Sequence, residues 1–409
     1  MNIGSVIKYY RSKNNMTQSQ LADGICSISH LSKIESNTYT PHESTIEALL
    51  LKMGVQWKKE IAKRSRLERQ LNDFVTCSLH YDLVEMENQY EKLQLDNDYI
   101  QSTDLVNQYE LYKFRYYLYI KDQGRADRQK AMLERMKNSF TDAEAWMHQL
   151  FLSLYYTMAN KKELAMEYVN SLDGGIQSIP QKFEGEFYYQ KARLLIMHEQ
   201  YELSAHFAEL SVQYFKLNYN YIRLLHAQLL LAINYMRRNL LVQAAGIFEV
   251  LKRNTRLTDQ KELYNQTLYN FAELLKTRHD HNQAFDLLTE LHGILSKDTY
   301  FYKAVLVSLI ETAVEVGADA WQYVRELRDL AEGPEDEYFL LYLNYFEKRN
   351  FSQPDLSAYS EEKMFPFFRK HGYIRESKKI ALELAEHFKQ VKQWEKAMYY
   401  QSYYDRNGG

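Results

Sequence analysis

Five pairs of small residues, each pair twelve positions apart, recur along this 409-residue chain: Ser153/Ala165, Ala192/Ser204, Ala232/Ala244, Ala272/Ala284 and Ala385/Ala397. The first four pairs begin 39, 40 and 40 residues apart. A period of about 20–50 residues marks a stacked array of like units. Small side chains let two antiparallel helices touch, so each unit reads as a helix pair. Larger apolar residues surround them at spacings of three and four, as in Leu231, Ala232 and Tyr235 followed by Ala244 and Phe248, and again in Phe271, Ala272, Leu275, Ala284 and Leu288. Those spacings gather side chains on one stripe of each helix, which must be buried against its neighbours. Glycine (14) and proline (5) are scarce, as a helical chain requires.

The pattern resembles the tetratricopeptide repeat, with a period longer than that repeat's usual length of about 34. Loop insertions are the expected source of the excess. The expected fold class is all-α: a right-handed TPR-like α-solenoid of about nine helix pairs over 71–409, behind a separate N-terminal head. Stacked pairs curve, and the first helix of each pair lines a concave groove long enough for an extended peptide. The register places Glu186, Tyr189 and Arg193 on that face in one repeat, His226, Asn234 and Arg237 in the next, and Gln266, Tyr269, Asn270 and Glu273 in a third. Together they offer the donors, acceptors and aromatic faces that a peptide needs.

Net charge is −3 but unevenly spread: residues 1–70 carry eleven Lys/Arg against six Asp/Glu, and the other 339 carry 40 against 48. A basic head favours a polyanion, because each neutralised phosphate releases counterions. Residues 56–70 hold six basic residues and neither proline nor glycine, which predicts a charged, mostly solvated connector helix. Cys26 and Cys77 are the only cysteines. With no signal peptide and no apolar run of about 18 residues, a reducing cytoplasm and no membrane contact are expected.

In the head, residues 2–15 read as a first helix with Ile3, Val6, Ile7 and Tyr10 on its apolar face. Thr17 caps a second helix, and Asp23-Gly24-Ile25-Cys26 links it to a third over 27–35. In the third helix Leu31 and Ile34 point inward. Ile28, Ser29, Ser32 and Lys33 share the outer face, flanked by Ser27 and His30.

The strings Thr17-Gln18-Ser19-Gln20-Leu21-Ala22 and Leu31-Ser32-Lys33-Ile34-Glu35-Ser36-Asn37, with Pro41 and Leu49-Leu50, resemble the helix-turn-helix of Cro/C1-type (XRE-like) repressors. The turn between the second and third helices is one residue shorter than that family's. The resemblance implies a DNA-binding domain over 1–55 in which Thr17 and Gln18 face the backbone, Gln18 holding a phosphate. It implies that Ser29 and Lys33 approach base edges, that Ile28 packs on a thymine methyl, and that Arg11 and Glu35 form an internal ion pair.

A short-turn head of this kind ahead of a degenerate repeat array resembles the peptide-responsive quorum-sensing regulators of Gram-positive bacteria, the Rgg/PlcR/NprR (RRNPP) group, most of all its NprR branch. That resemblance implies a cytoplasmic transcription regulator controlled by a short signalling peptide. It would act as a homodimer, or alternatively a tetramer, on a palindromic duplex operator. Two other readings stand beside it: an adaptor that docks a phosphorelay response regulator through the repeats near residues 71–140, and a plain repeat scaffold. No phosphate loop, His-Glu-x-x-His or paired Cys-x-x-Cys occurs, so no catalytic residue, cofactor or metal is expected. His279-Asp280-His281 reads as a surface bend rather than a metal site.

Overall fold

The computed structural model describes residues 2–172, 180–297, 299–350 and 355–406. Among the described residues there are helices and turns and no strand. The chain divides into two compact units, Met1–Asn254 and Thr255–Gly409.

All ten small residues of the paired pattern are buried, none more than 2% exposed. At one pair the Ser204 hydroxyl donates to the Ala192 carbonyl oxygen at 2.7 Å, the close approach that small side chains permit.

The repeat length has a different origin from the one expected. Helices Tyr201–Leu217, Tyr221–Arg237, Leu241–Leu257 and Lys261–Thr277 each hold 17 residues, and three residues separate each from the next. Twenty residues of helix plus turn, taken twice, give the 40-residue period. The excess over a tetratricopeptide unit therefore lies in longer helices, not in inserted loops.

Every turn uses one device. Its middle residue is left-handed, at φ of 55° for Tyr219, 59° for Asn239, 51° for Asp259 and 61° for His279. The next N–H then donates to a carbonyl five residues back: Asn220 to Phe215 at 2.9 Å, Leu240 to Tyr235 at 2.8 Å, Asp280 to Leu275 at 2.9 Å. This closure satisfies carbonyls that the helix end would otherwise strand.

The first unit opens with α1 (Ile3–Lys13), α2 (Gln18–Ala22), α3 (Ile28–Glu35), α4 (Glu43–Lys52) and α5 (Trp57–His80). Val6, Ile7, Leu21, Leu31, Ile34, Leu49 and Leu50 are fully buried in its core. Gly4 is required where α1 crosses α3, since a Cβ there would fall 1.7 Å from the Ile34 carbonyl oxygen.

The connector is helical and mostly exposed over 57–70. It is the first part of α5, which runs 24 residues to His80 and buries Leu67, Leu71, Phe74, Val75 and Leu79. Half of its basic side chains are paired: Arg64 with Asp104 at 2.8 Å, and Lys63 and Arg66 with Asp96 at 3.5 and 2.7 Å. Its Glu60 is 2% exposed and accepts hydrogen bonds from the hydroxyls of Tyr10, at 2.8 Å, and Tyr99. Tyr10 lies on α1, Glu60 on α5 and Tyr99 on the short helix Asn97–Ile100, so the head is docked rather than strung on a spacer.

In the second unit, the helix Tyr300–Val316 is buried along Tyr302, Val305, Leu306, Leu309, Ile310 and Ala313. A second core gathers Phe365, Phe368, Ile380, Leu384, Phe388 and Tyr400. Among the described residues no helix is long and apolar enough to cross a membrane.

Candidate nucleic-acid interface and ligand cavity

The α3 helix is held by polar contacts on its inner side. Glu35, 6% exposed, accepts the Arg11 guanidinium at 2.6 and 3.0 Å and the Gln18 amide at 2.8 Å. One carboxylate thus ties α1, α2 and α3 together. The ion pair implied for Arg11 and Glu35 is formed, and the Gln18 side-chain amide gives one of its two N–H groups to the same carboxylate.

Thr17 forms a capping box with Gln20, accepting its backbone N–H at 3.2 Å while the Gln20 side chain accepts the Thr17 N–H at 2.8 Å. The Ser27 hydroxyl caps α3 by accepting the His30 N–H at 3.2 Å. Gly24, at φ 75°, makes the short turn between the two helices.

The outer side of α3 is open. Ile28 is 51% exposed, and Ser29, Ser32 and Lys33 are exposed beside it. His30 is half-buried against Tyr39, with ring centroids 4.6 Å apart. Tyr39 itself is 47% exposed, and sequence reasoning passed over it because it lies in the link after α3, outside the helical pattern. Four of the eight expected DNA residues therefore form the open face, three serve caps or the Glu35 network, and His30 packs on the Tyr39 ring.

The expected groove residues of the first unit are placed less uniformly. Arg193 and Arg237 are exposed, and Tyr189 is half-buried beneath the Arg223 guanidinium at 4.5 Å. His226 is half-buried against the Tyr81 ring at 4.9 Å, its Nδ1 2.9 Å from the Ile222 carbonyl oxygen. Burial first, and then Arg223, push its pKa down to about 4.

Two residues expected in the groove lie inside the protein. Asn234 is fully buried because it shares the packed stripe of Ala227 and Leu231, and its amide donates to the Leu230 carbonyl oxygen at 2.9 Å. Glu186 is 2% exposed and bridges Arg115 at 2.8 Å and Arg223 at 3.1 Å, with the Tyr119 hydroxyl at 3.0 Å. Burial alone would raise its pKa, but Arg115 and Arg223 overcome it and hold the carboxyl at about 2.

In the second unit Gln266 is exposed, and Asn270 donates to the Gln266 carbonyl oxygen at 2.8 Å. Tyr269 and Glu273 line a cavity of about 380 Å³. Its other walls come from residues that the repeat pattern did not single out: Lys276 on the same helix, Ser308 and Glu311 on Tyr300–Val316, Tyr338, Tyr342 and Tyr345 on Glu337–Asn350, and Arg375, Glu376 and Lys379 on Ile374–Gln390.

Lys276 forms the floor of its polar side, 2.8 Å from each of Glu273, Ser308 and Glu311. Burial opposes ionisation of Glu311, yet Lys276 and then Lys379 pull its pKa down to about 2. Elsewhere in this unit His279 and His281 face each other at 5.7 Å and Asp280 pairs with Arg278 at 3.2 Å. No group of three metal-ligating side chains occurs among the described residues.

A helix-turn-helix family model matches residues 7–58, which spans α1 to the start of α5. Along almost the whole chain, the sequence is similar to the transcriptional activator NprA of Geobacillus stearothermophilus, at 22% identity over 385 residues, covering 90% of this chain and 94% of the relative. Residues 7–58 are thus a helix-turn-helix domain, and the chain as a whole is similar to a transcriptional activator. Its fold is similar to the apo quorum sensor NprR of B. thuringiensis, with TM-score 0.70 and 18% identity over 84% of this chain and 99% of that one. It is also similar to a Rap protein solved with competence and sporulation factor, with TM-score 0.71 and 14% identity over 84% of this chain and 98% of that one. Both likenesses bear on the fold, which is all-α over the described residues.

Proposed function

We propose that this chain is a DNA-binding transcription regulator whose hold on its operator is set by a short peptide bound to the repeat helices. The observation that carries the reading is the open outer face of α3, with Ile28, Ser29, Ser32 and Lys33 exposed on a helix whose inner side is locked by Glu35. An eight-residue helix presented in this way fits the major groove, where Lys33 donates to guanine and Ile28 covers a thymine methyl. Thr17 and Ser27, whose hydroxyls cap helices, position the backbone rather than read bases. The surplus of basic residues in the first 70 supplies the salt-dependent part of the affinity.

NprR has been solved with its cognate peptide NprX, and this chain is similar to that structure at TM-score 0.66 and 18% identity, which supports a peptide as the ligand. The cavity around Tyr269 and Glu273 is the seat we assign to part of it. A peptide changes DNA affinity only if it binds two arrangements of the protein unequally. A homodimer reading two half-sites about one helical turn apart, close to 34 Å, is the matching assembly. The site of action is the cytoplasm.

The test is selection of duplexes from a random pool by the purified full chain, at two salt concentrations, with and without a pool of synthetic heptapeptides. An enriched inverted repeat whose affinity shifts with peptide is expected. A selection that enriches no sequence in either condition overturns the reading.

A further inference from the structure

The cavity of the second unit is lined by three carboxylates and three cations that are unevenly paired. Lys276 is its innermost cation, with a side chain 16% exposed, and it is shared between Glu273 and Glu311. A third lining carboxylate, Glu376, has no ion-pair partner among the described residues. The other two lining cations stand at the rim: Arg375 is 3.7 Å from Glu273 and Lys379 is 3.3 Å from Glu311, and both side chains are 57% exposed. Contacts that long and that exposed are weak, while the Lys276 bonds are short and sheltered. Glu273 and Glu311 thus share the one sheltered ammonium, and Glu376, half-buried, is left without a cation of its own.

Much of the rest of the lining is aromatic. Tyr269, Tyr338, Tyr342 and Tyr345 all line the space, and among the described residues no cation lies over any of their rings. Tyr342 is 9% exposed, and its hydroxyl makes no hydrogen bond among the described residues. Burial, followed by nearby carboxylates, raises the hydroxyl pKa of Tyr269 through Glu273, of Tyr338 through Glu376 and of Tyr342 through Glu311.

Tyrosine rings together with a carboxylate that lacks a cation of its own attract an organic cation, by the ring quadrupole and by charge. We propose that this cavity binds an ammonium or guanidinium group, carried by the peptide as a lysine or arginine side chain or as its free α-amino end. The cation displaces the rim contacts of Arg375 and Lys379, lies on the tyrosine faces, and bonds to Glu376 and Glu311. This inference rests on the peptide reading for the source of the cation, and on the cavity alone for its chemistry.

The experiment is ligand-observed NMR titration of the full chain with three blocked amino acids: the Nα-acetyl N-methylamides of lysine, norleucine and glutamate. Norleucine N-methylamide with a free amine is the α-amino arm. One of the two amine-bearing probes is expected to bind about five-fold or more tighter than blocked norleucine, and the glutamate probe to bind more weakly than it. Which amine wins separates a side chain from a chain end.

Glu376→Gln, which breaks no ion pair of the protein, is expected to weaken the preferred amine about five-fold. Lys379→Ala is expected to tighten it, because a competing cation is gone. A cavity built for anions predicts the reverse for Lys379→Ala. Preference for glutamate, or an amine probe indifferent to both substitutions, overturns the proposal.

The two readings fail separately. If heptapeptides shift no DNA affinity but an amine probe obeys both substitutions, the peptide reading falls and the cation site stands. If peptides act but show no requirement for a basic group, and the probes ignore Glu376→Gln, the cation site falls and the peptide reading stands.

Discussion

Replacing Glu186 by glutamine tests the buried charge cluster of the first unit most directly. Its side chain is 2% exposed, those of Arg115 and Arg223 are 1% and 4% exposed, and each guanidinium lies within 3.1 Å of it. The carboxyl sits at about 2 in the folded chain against an ordinary 4.5, and that difference corresponds to about 3 kcal/mol of stability at neutral pH. Glutamine removes this and leaves two buried cations facing one another, for which a loss of about 3–5 kcal/mol is expected.

The sign in acid follows from linkage. A depressed carboxyl stabilises fully above its unfolded value, and the benefit disappears as pH falls from 4.5 towards 2. The wild type should lose stability through that window and Glu186→Gln should lose less. Because the chain has two units, the assay is amide hydrogen exchange read on helices Val106–Tyr119 and Glu184–Met197, not a single melt. Replacing all three charges together, as R115M/E186L/R223M, should cost less than Glu186→Gln alone, since no unpaired charge is then left inside. A Glu186→Gln protein within about 1 kcal/mol of wild type at pH 7 refutes the reasoning.

Other outcomes follow from the head and its docking. Lys33→Ala should weaken operator binding by about 1–3 kcal/mol and relax preference at one base position, measured by titration of the selected duplex; an unchanged affinity and preference removes Lys33 from the interface. Gly4→Ala forces a Cβ against the Ile34 carbonyl and should destabilise the head by about 2–4 kcal/mol, seen as accelerated exchange of α1 and α3 amides; normal exchange would show that the helices can separate freely. Glu60→Gln weakens two charge-assisted bonds and should cost about 1–3 kcal/mol in the protection of α1, while equal protection would mean that docking rests on apolar contacts alone. His226, held near 4, stays neutral in the fold while the unfolded imidazole takes up a proton first, so stability should drop as pH falls from 6.5 to 4. Substituting His226 with phenylalanine should flatten that segment of the stability profile; an identical slope would place the titration elsewhere.

Much of the head was legible in the sequence because its signals are local. Thr17 and Ser27 are caps whose partners lie three residues away, Gly24 marks a turn, and the Leu31/Ile34 spacing sets which side of α3 is buried. The connector's exposed, charged helix was legible but its partners were not, because Arg66 and Arg64 meet Asp96 and Asp104, residues some thirty to forty positions away. The groove residues were partly misread for the same kind of reason. Periodicity finds a stripe, but a stripe one position wide of the true seam makes Asn234 look exposed, and no local signal reports that Glu186 has two arginines beside it.

Twelve-residue spacing of small residues and the left-handed turn positions are written in the order of the amino acids, because helix, cap and turn depend on groups a few positions apart. That order alone determined an all-helical chain with a forty-residue beat and an N-terminal helix-turn-helix. Tertiary packing decided which charges are buried and what surrounds them. The Glu60 junction joins three helices, and the tyrosine and carboxylate cavity draws residues from Tyr269 to Ile380, so each exists only once distant helices are brought together.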